Sequence, residues 1–347
     1  MHTGNFGHKL VAWYKKYHRK LPWRETRDPY RIWLSEIILQ QTRVAQGYPY
    51  YEKFVAQYPD VGSLAAASEK EVLHLWQGLG YYSRARNMHA TAKIICDEHG
   101  GRFPGSYQEL LRLKGIGDYT ASAIASFAFD EQATVVDGNV FRVLARYYGI
   151  HEDISSPASR KIFREAAIAA MPAGQAALFN QAIMEFGALQ CVPVSPKCEV
   201  CPVNDSCYAY YHKKQNVLPV KIKKLKIKQR PIHYLVITAK GRIAMKERKD
   251  KDIWRGLYDF YSVETESVGD WSSFLPEELS GLRPELSSGP FKHILTHQRL
   301  SISYWVSELP ELRKLPEDLQ WYTPEQIKDL PKPLPVNIYL KDFFVTL

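Results

Sequence analysis

Residues 113–146, LKGIGDYTASAIASFAFDEQATVVDGNVFRVLAR, bring together a tight glycine turn, a helix start and an isolated carboxylate. Upstream, Ser106 followed by Glu109 is a capping-box pair. It predicts a short helix over PGSYQELLRL that stops where Lys114-Gly115-Ile116-Gly117 begins. Gly115 and Gly117 permit backbone angles and close approach that a Cβ would block. The Ala-rich DYTASAIASFAF then starts a second helix whose first unpaired N–H groups face back into the turn and suit a phosphate. Helix, glycine turn, helix is either a sequence-independent clamp on a nucleic-acid backbone or a plain connection between helices. Downstream, ATVVDGNVFRVLARYYG reads as a short apolar run broken at Asp137-Gly138, then a helix with Val140, Val143 and Leu144 on its apolar face. Asp137 lies just ahead of that helix, where free N–H groups and the helix dipole keep a carboxylate ionised. It is expected to be a helix cap and a working anion at once.

LKGIGDYTASAIA followed some twenty residues later by VVDGN resembles the helix-hairpin-helix and Gly/Pro-Asp motif of the DNA glycosylase superfamily. The resemblance implies that Asp137 works at the sugar of an excised base, with Gly115, Gly117 and Asn139 at the DNA.

A chain of 347 residues exceeds the usual single-domain size, and 45% hydrophobic residues suffice for two cores. The formal net charge of +9 favours a polyanionic partner. No apolar run reaches about 18 residues and the N-terminal MHTGNFGHKL has no apolar signal core, so the expectation is a cytoplasmic protein, associated with the nucleoid through DNA and without a membrane partner. Near the N-terminus, HKLVAWYKKYHRKLPWR alternates aromatic and basic side chains up to Arg24, and its helix is expected to end at Pro22. Such a stretch is a solvated face or part of a nucleic-acid groove, with Arg24 as a candidate DNA contact.

DPYRIWLSEIILQQTRV predicts a helix with a wide buried face, and Glu36 stands in its middle between Trp33 and Gln40. It is either a surface glutamate or a desolvated one whose raised pKa lets it hold a proton near neutrality. WLSEIILQQT resembles the segment carrying the catalytic glutamate of MutY-type adenine DNA glycosylases. The implied pair is Glu36 as general acid and base with Asp137 as the anion facing the developing positive charge, two carboxylates whose environments push their pKa values apart. The same resemblance makes Gln41 and Tyr81 wedges into the DNA stack and Gln181 a reader of the adenine edge, against the plainer readings of exposed glutamine and core tyrosine. Cys96 is expected to be a buried small hydrophobe. Ser68 with Glu71 predicts another capping box, and Ser156-Pro157 starts a further helix.

Cys191, Cys198, Cys201 and Cys207 fall within seventeen residues, which argues for thiolate ligation over disulfides. The spacing C-x6-C-x2-C-x5-C departs from paired zinc knuckles and resembles the iron–sulfur loop of the endonuclease III and MutY branch, implying a 4Fe-4S cluster. Its role is to hold a loop that cannot make its own core, with Lys197 nearby facing phosphate, or else to transfer electrons.

KKQNVLPVKIKKLKIKQR at 213–230 contains no acidic residue and reads as a basic linker. Beyond it, IHYLVITAKGRIAMKER predicts a hairpin, LYDFYSVE a strand, and RLSISYWVSEL alternates with a period of two. This part resembles the Nudix-like recognition domain of MutY enzymes, without the acidic metal-binding box of true Nudix hydrolases. Leu295-Thr296-His297 matches the family's Phe-Ser-His loop, which implies that Thr296 and His297 contact 8-oxoguanine although the aromatic is lost. The expected fold is therefore a mainly α helix-hairpin-helix glycosylase domain over 1–212, with two helical lobes and the cysteine loop, then the linker and an α+β Nudix-like domain over 231–347. The implied activity is that of a monomeric, monofunctional adenine glycosylase on duplex DNA with an 8-oxoguanine:adenine or guanine:adenine mispair. An endonuclease III-like enzyme would need a lysine nucleophile where Tyr119 stands, and Tyr119 is expected instead to bond Asp137 or the intermediate. A non-catalytic lesion-binding or electron-transfer protein is the other alternative.

Overall fold

Asp28 starts the helix on which the site is built: its Oδ1 accepts the Tyr30 amide at 2.9 Å and Pro29 occupies the first helical position. The computed structural model describes residues 5–222 and 226–346; residues 223–225 of the expected basic linker lie outside the described residues. The chain packs as two units, residues 5–66 with 87–222, and residues 67–86 with 226–346.

The first unit is helical. It contains α1 (Phe6–Tyr17), α2 (Pro29–Leu39), α3 (Val44–Gln57) and α4 (Val61–Ala66). The helix α5 (Glu69–Leu75) belongs to the second unit, and α6 (Ser83–His99) begins there. The first unit continues with α7 (Tyr107–Leu110), α8 (Asp118–Phe129), α9 (Gly138–Tyr148), α10 (Pro157–Ala170), α11 (Ala176–Leu189) and α12 (Tyr208–Tyr211). One core joins Phe6, Leu10 and Trp13 of α1 to Val140, Val143 and Leu144 of α9 and to Phe179, Ile183 and Phe186 of α11. Helix α2 is buried nearly all round, from Ile32, Trp33 and Leu34 to Ile37 and Ile38, as expected of a helix inside a lobe. Three local readings are corrected. Helix α1 stops at Tyr17, five residues before Pro22, which instead opens a short 3-10 turn over Pro22–Arg24. The helix before the glycine turn is four residues long, because its cap at Ser106 is followed by a non-helical Leu113-Lys114 approach to Gly115. Cys96, expected to be buried, is half-buried, its thiol directed at the Val61 carbonyl at 3.8 Å.

The second unit is a seven-stranded mixed sheet. Its strands are β1 (Lys228–Ala239), β2 (Arg242–Glu247), β3 (Tyr258–Asp259), β4 (Tyr261–Val263), β5 (Glu285–Ile294), β6 (Gln298–Leu309) and β7 (Gln320–Tyr322), followed by α13 (Pro324–Lys328) and α14 (Leu334–Thr346). The order is β3-β2-β1-β6-β5, with β4 also on β1 and β7 on β2. Strands β1 and β2 form the expected antiparallel hairpin, and β1 pairs parallel with β6 from Lys228 and Gln298 to Ala239 and Leu309. LYDFYSVE is two strands rather than one, split at the buried Phe260. Residues 67–86 pack on this sheet domain: α5 carries the expected Ser68/Glu71 capping box, the Arg86 guanidinium donates to the Arg255 carbonyl at 2.7 Å, and the Gln77 side chain accepts the Lys332 amide at 2.9 Å.

Candidate active site

Glu36 is buried on α2 and, with Asp137 and Tyr119, lines one cavity of about 690 Å³ in the first unit. Burial pushes the Glu36 carboxyl up to about 7, and the charge of Asp137 adds to this, while a hydrogen bond from Tyr119 and the Arg24 charge pull the other way. The Tyr119 hydroxyl donates to Glu36 Oε2 at 2.7 Å. The expected bond from Tyr119 to Asp137 is therefore replaced by one to Glu36, since α2 packs directly on α8 and brings the carboxylate within reach.

Asp137 caps α9. Its Oδ1 accepts the amides of Asn139 and Val140 at 2.9 and 2.8 Å, and its Oδ2 accepts the Asn139 side-chain amide at 2.8 Å. Burial nevertheless raises its pKa above the ordinary aspartate range, against the pull of these donors and of Arg142. The cap was expected to keep this carboxylate ionised; the donors do pull its pKa down, and desolvation by burial outweighs them. Asn139 sits on Asp137 and is itself held by Arg142, whose Nη2 donates to Asn139 Oδ1 at 2.8 Å and to the Gly187 carbonyl at 2.6 Å. Gly187 has to be glycine for space: a Cβ there would stand 2.6 Å from the Asn139 Cβ.

Behind this pair lies an ionic cluster that has no local signature. Glu185 on α11 is fully buried and accepts from Arg19 Nη2 at 2.6 Å and Arg24 Nη2 at 2.7 Å. Burial alone would raise its carboxyl, yet the hydrogen bonds from Arg19 and Arg24 bring it down to about 2. Arg24 is thus committed to a buried ion pair and not to an open groove; its guanidinium also lies 5.8 Å from the centre of the Tyr14 ring. The Tyr14 hydroxyl donates to Gln181 Oε1 at 2.7 Å, and Gln181 is not among the residues lining the cavity. Asn180 is buried and pins the strandless segment leading to Asp137: its side chain takes the Val135 amide at 3.1 Å and gives to the Ala133 carbonyl at 2.7 Å.

The glycine turn forms the rim of the cavity. Gly115 has φ +76° and its missing Cβ would meet Asn87 Cβ at 2.8 Å, whereas Gly117, which precedes α8, has open space where its Cβ would be. Gln41 also lines the cavity and carries a left-handed backbone, φ 57°. Tyr81 shares that backbone state, φ 51°, and belongs to the second unit. Its hydroxyl is hydrogen-bonded to the Thr296 hydroxyl at the tip of the β5–β6 turn, where Thr296 and His297 are exposed. Among the described residues four other non-glycine residues, Asp130, Ser195, Lys213 and Lys240, share this backbone state.

Cys191, Cys198, Cys201 and Cys207 line one small apolar cavity beneath α9, and none is in a disulfide. Among the described residues no three His, Cys, Asp or Glu side chains converge tightly enough for a single metal ion. Four thiols in one cavity lining are a donor set that an iron–sulfur cluster takes. Burial raises the Cys201 thiol to about 12, a cost that ligation to a cation would remove. Arg146 donates to Cys191 Sγ at 3.5 Å and to the Val192 carbonyl at 2.8 Å, and Arg142 Nε to the Cys191 carbonyl at 2.7 Å, so α9 ties the loop to the Asp137 cap.

Residues 34–167 match the HhH-GPD superfamily of base excision DNA repair proteins, residues 191–207 the iron–sulfur binding domain of endonuclease III, and residues 233–342 the NUDIX domain. An adenine DNA glycosylase of Buchnera aphidicola subsp. Baizongia pistaciae is 36% identical over 311 residues, covering 88% of this chain and 87% of its own. The chain belongs to the adenine DNA glycosylase family. The mouse adenine DNA glycosylase is 43% identical over 215 residues, 59% of this chain and 42% of that one. Among solved structures, a thermostable thymine-DNA glycosylase superposes with a TM-score of 0.55 at 31% identity, and an endonuclease III–DNA complex with 0.52 at 20% identity; each covers 60% of this chain and 95% of its own. The endonuclease III likeness shows the fold alone. This adenine DNA glycosylase is accordingly a DNA-binding base excision repair enzyme with an iron–sulfur cluster on its cysteine loop. Among the described residues no helix is long and apolar enough to cross a membrane. Arg19 and Glu185 form a buried ion pair and Arg142 and Gly187 pack on Asn139, and no local motif identifies any of the four. The only sequence signal for Glu185 is a charged residue on the apolar pattern of α11, and its arginines lie 161 and 166 positions away.

Proposed function

We propose that the enzyme hydrolyses the N-glycosidic bond of adenine opposite 8-oxoguanine, or opposite guanine, without strand cleavage. Glu36, protonated near neutrality, donates to the leaving base. Asp137, with three hydrogen bonds aimed at its oxygens against one at Glu36, keeps its charge and faces the oxocarbenium-like sugar. Water then completes hydrolysis with Glu36 as base. Gln181 stands outside the cavity lining with its carbonyl oxygen occupied by Tyr14, so a contact to the adenine edge would use its NH2 group and need the base to reach past that lining. A 4Fe-4S cluster on Cys191, Cys198, Cys201 and Cys207 would cross-link the loop through its four thiolates. Arg142 and Arg146 would link that loop to the helix capped by Asp137.

The observation that carries the monofunctional reading is Tyr119: a phenol hydrogen-bonded to Glu36 fills the position of a lysine nucleophile, and no lysine is among the residues lining the cavity. Support for 8-oxoguanine as the opposite base comes from Tyr81 and Thr296, which share a hydrogen bond at an exposed turn of the sheet unit. Gln41 and Tyr81 would enter the stack, and His297 would flank the lesion. The test is base release from duplexes with adenine opposite 8-oxoguanine, adenine opposite guanine, and thymine glycol, combined with borohydride trapping. Adenine release without a trapped imine is expected, whereas a strong imine crosslink would overturn the monofunctional reading.

A further inference from the structure

Helix α10 has no part in the chemistry above, yet Arg160 and Arg164 line the same cavity as Glu36 and Asp137. Four residues apart, they stand one above the other on one face of the helix. Arg164 pairs with Asp118, the first residue of α8, whose Oδ1 also accepts the Tyr107 hydroxyl at 2.6 Å. The guanidinium is 5.9 Å from the centre of the Tyr107 ring. This charge is therefore held at the glycine turn, and the Asp118 carboxylate beside it is neutralised. Arg160 is exposed and has no ion pair among the described residues. One guanidinium is thus uncompensated at the cavity rim and a second, fixed one keeps donors to spare, in the same cavity lining as Gly115 and Gly117 of the turn.

We propose that Arg160 and Arg164 grip a phosphodiester of the strand carrying the extruded nucleotide, beside the glycine turn, and that Asp118 is the residue positioning Arg164 for it. This rests on the reading of the cavity as the place of an extruded nucleotide. Arginine matches a phosphate through paired donors, so the two side chains hold the backbone while the base enters between Glu36 and Asp137.

The test uses the full-length, cluster-loaded protein and a duplex with 2′-fluoro-2′-deoxyadenosine opposite 8-oxoguanine, which is bound without being cleaved. Arg160→Gln and Arg164→Gln are each expected to weaken binding about tenfold near physiological salt and to lower the slope of log Kd against log salt by about one; the double variant lowers it by about two. Arg164→Lys restores most of the slope. A methylphosphonate at the phosphate next to the adenosine reproduces the loss in the wild type and makes Arg160→Gln nearly silent. Unchanged slopes in Arg160→Gln, an exposed position whose replacement leaves the fold intact, would overturn the proposal, as would full additivity of Arg160→Gln with the methylphosphonates flanking the adenosine on either side. Adenine release by the wild type, assayed separately, reports on the functional reading and does not depend on these slopes.

Discussion

Glu36 and Asp137 differ in what is aimed at their oxygens. One buried carboxyl has a single phenol donor; the other has two backbone amides and a side-chain amide held in turn by a buried arginine. Burial raises both and the donors oppose that rise, more of them at Asp137 than at Glu36, in keeping with the proposed anion and acid. The sign of one substitution follows. Tyr119 stabilises the ionised form of Glu36, so Tyr119→Phe removes a pull downward and the glutamate holds its proton to higher pH. In single-turnover adenine release the alkaline limb, expected near pH 7 in the wild type, should move upward in Tyr119→Phe; a limb that stays or moves down would detach Tyr119 from Glu36 titration. Asp137 was legible as a cap before a helix, a local feature, whereas the apolar pattern around Glu36 left a surface glutamate equally open and only the family resemblance pointed to a buried acid. The pairing of Arg19 and Arg24 with Glu185 was not legible, since a pairing over more than 160 residues leaves no local trace.

At the scale of elements, the start of α9 does three jobs at once: it is capped by Asp137, clamped by Arg142 to the cysteine loop, and pressed against α11 at Gly187. Gly187→Ala places a methyl group 3.0 Å from the Asn139 carbonyl oxygen and closer still to its Cβ, so the cap must shift. We expect adenine release to slow by about 100-fold, with mispair affinity retained, as a displacement near 1 Å at a reacting group can cost. Single-turnover rates and binding on one duplex measure the two separately, and an unchanged rate would show that the cap tolerates movement. Helices with caps and strands with period-two patterns were readable in advance. Strand β5 was not, because most of its side chains are exposed and two register shifts interrupt it, leaving no alternation to detect. The short helix α7 was readable from its Ser106 cap but its end was not: a cap marks where a helix begins, and the length depends on what it packs against.

For the whole molecule, chain order and packing disagree. Residues 67–86 lie inside the helical half by sequence but pack with the sheet, so Tyr81 and Thr296 belong to one unit and share a hydrogen bond. No composition shift announces this, since the contacts are made by Arg86, Gln77 and Lys70 with residues far along the chain. Thr296→Val removes a hydroxyl while preserving shape. It should reduce the preference for adenine opposite 8-oxoguanine over adenine opposite guanine about fivefold, the effect of one net hydrogen bond. Competition between the two duplexes measures that ratio, and an unaltered ratio would remove Thr296 from lesion recognition.

The proposed chemistry depends most on a protonated Glu36 acting at a base whose sugar faces Asp137. Its most direct test is single-turnover adenine release by Glu36→Gln on a duplex with adenine opposite 8-oxoguanine, alongside mispair affinity. The account predicts that release falls by several orders of magnitude, because a carboxamide has no carboxyl proton to donate, while affinity stays within a few-fold of wild type. Release at the wild-type rate would contradict it.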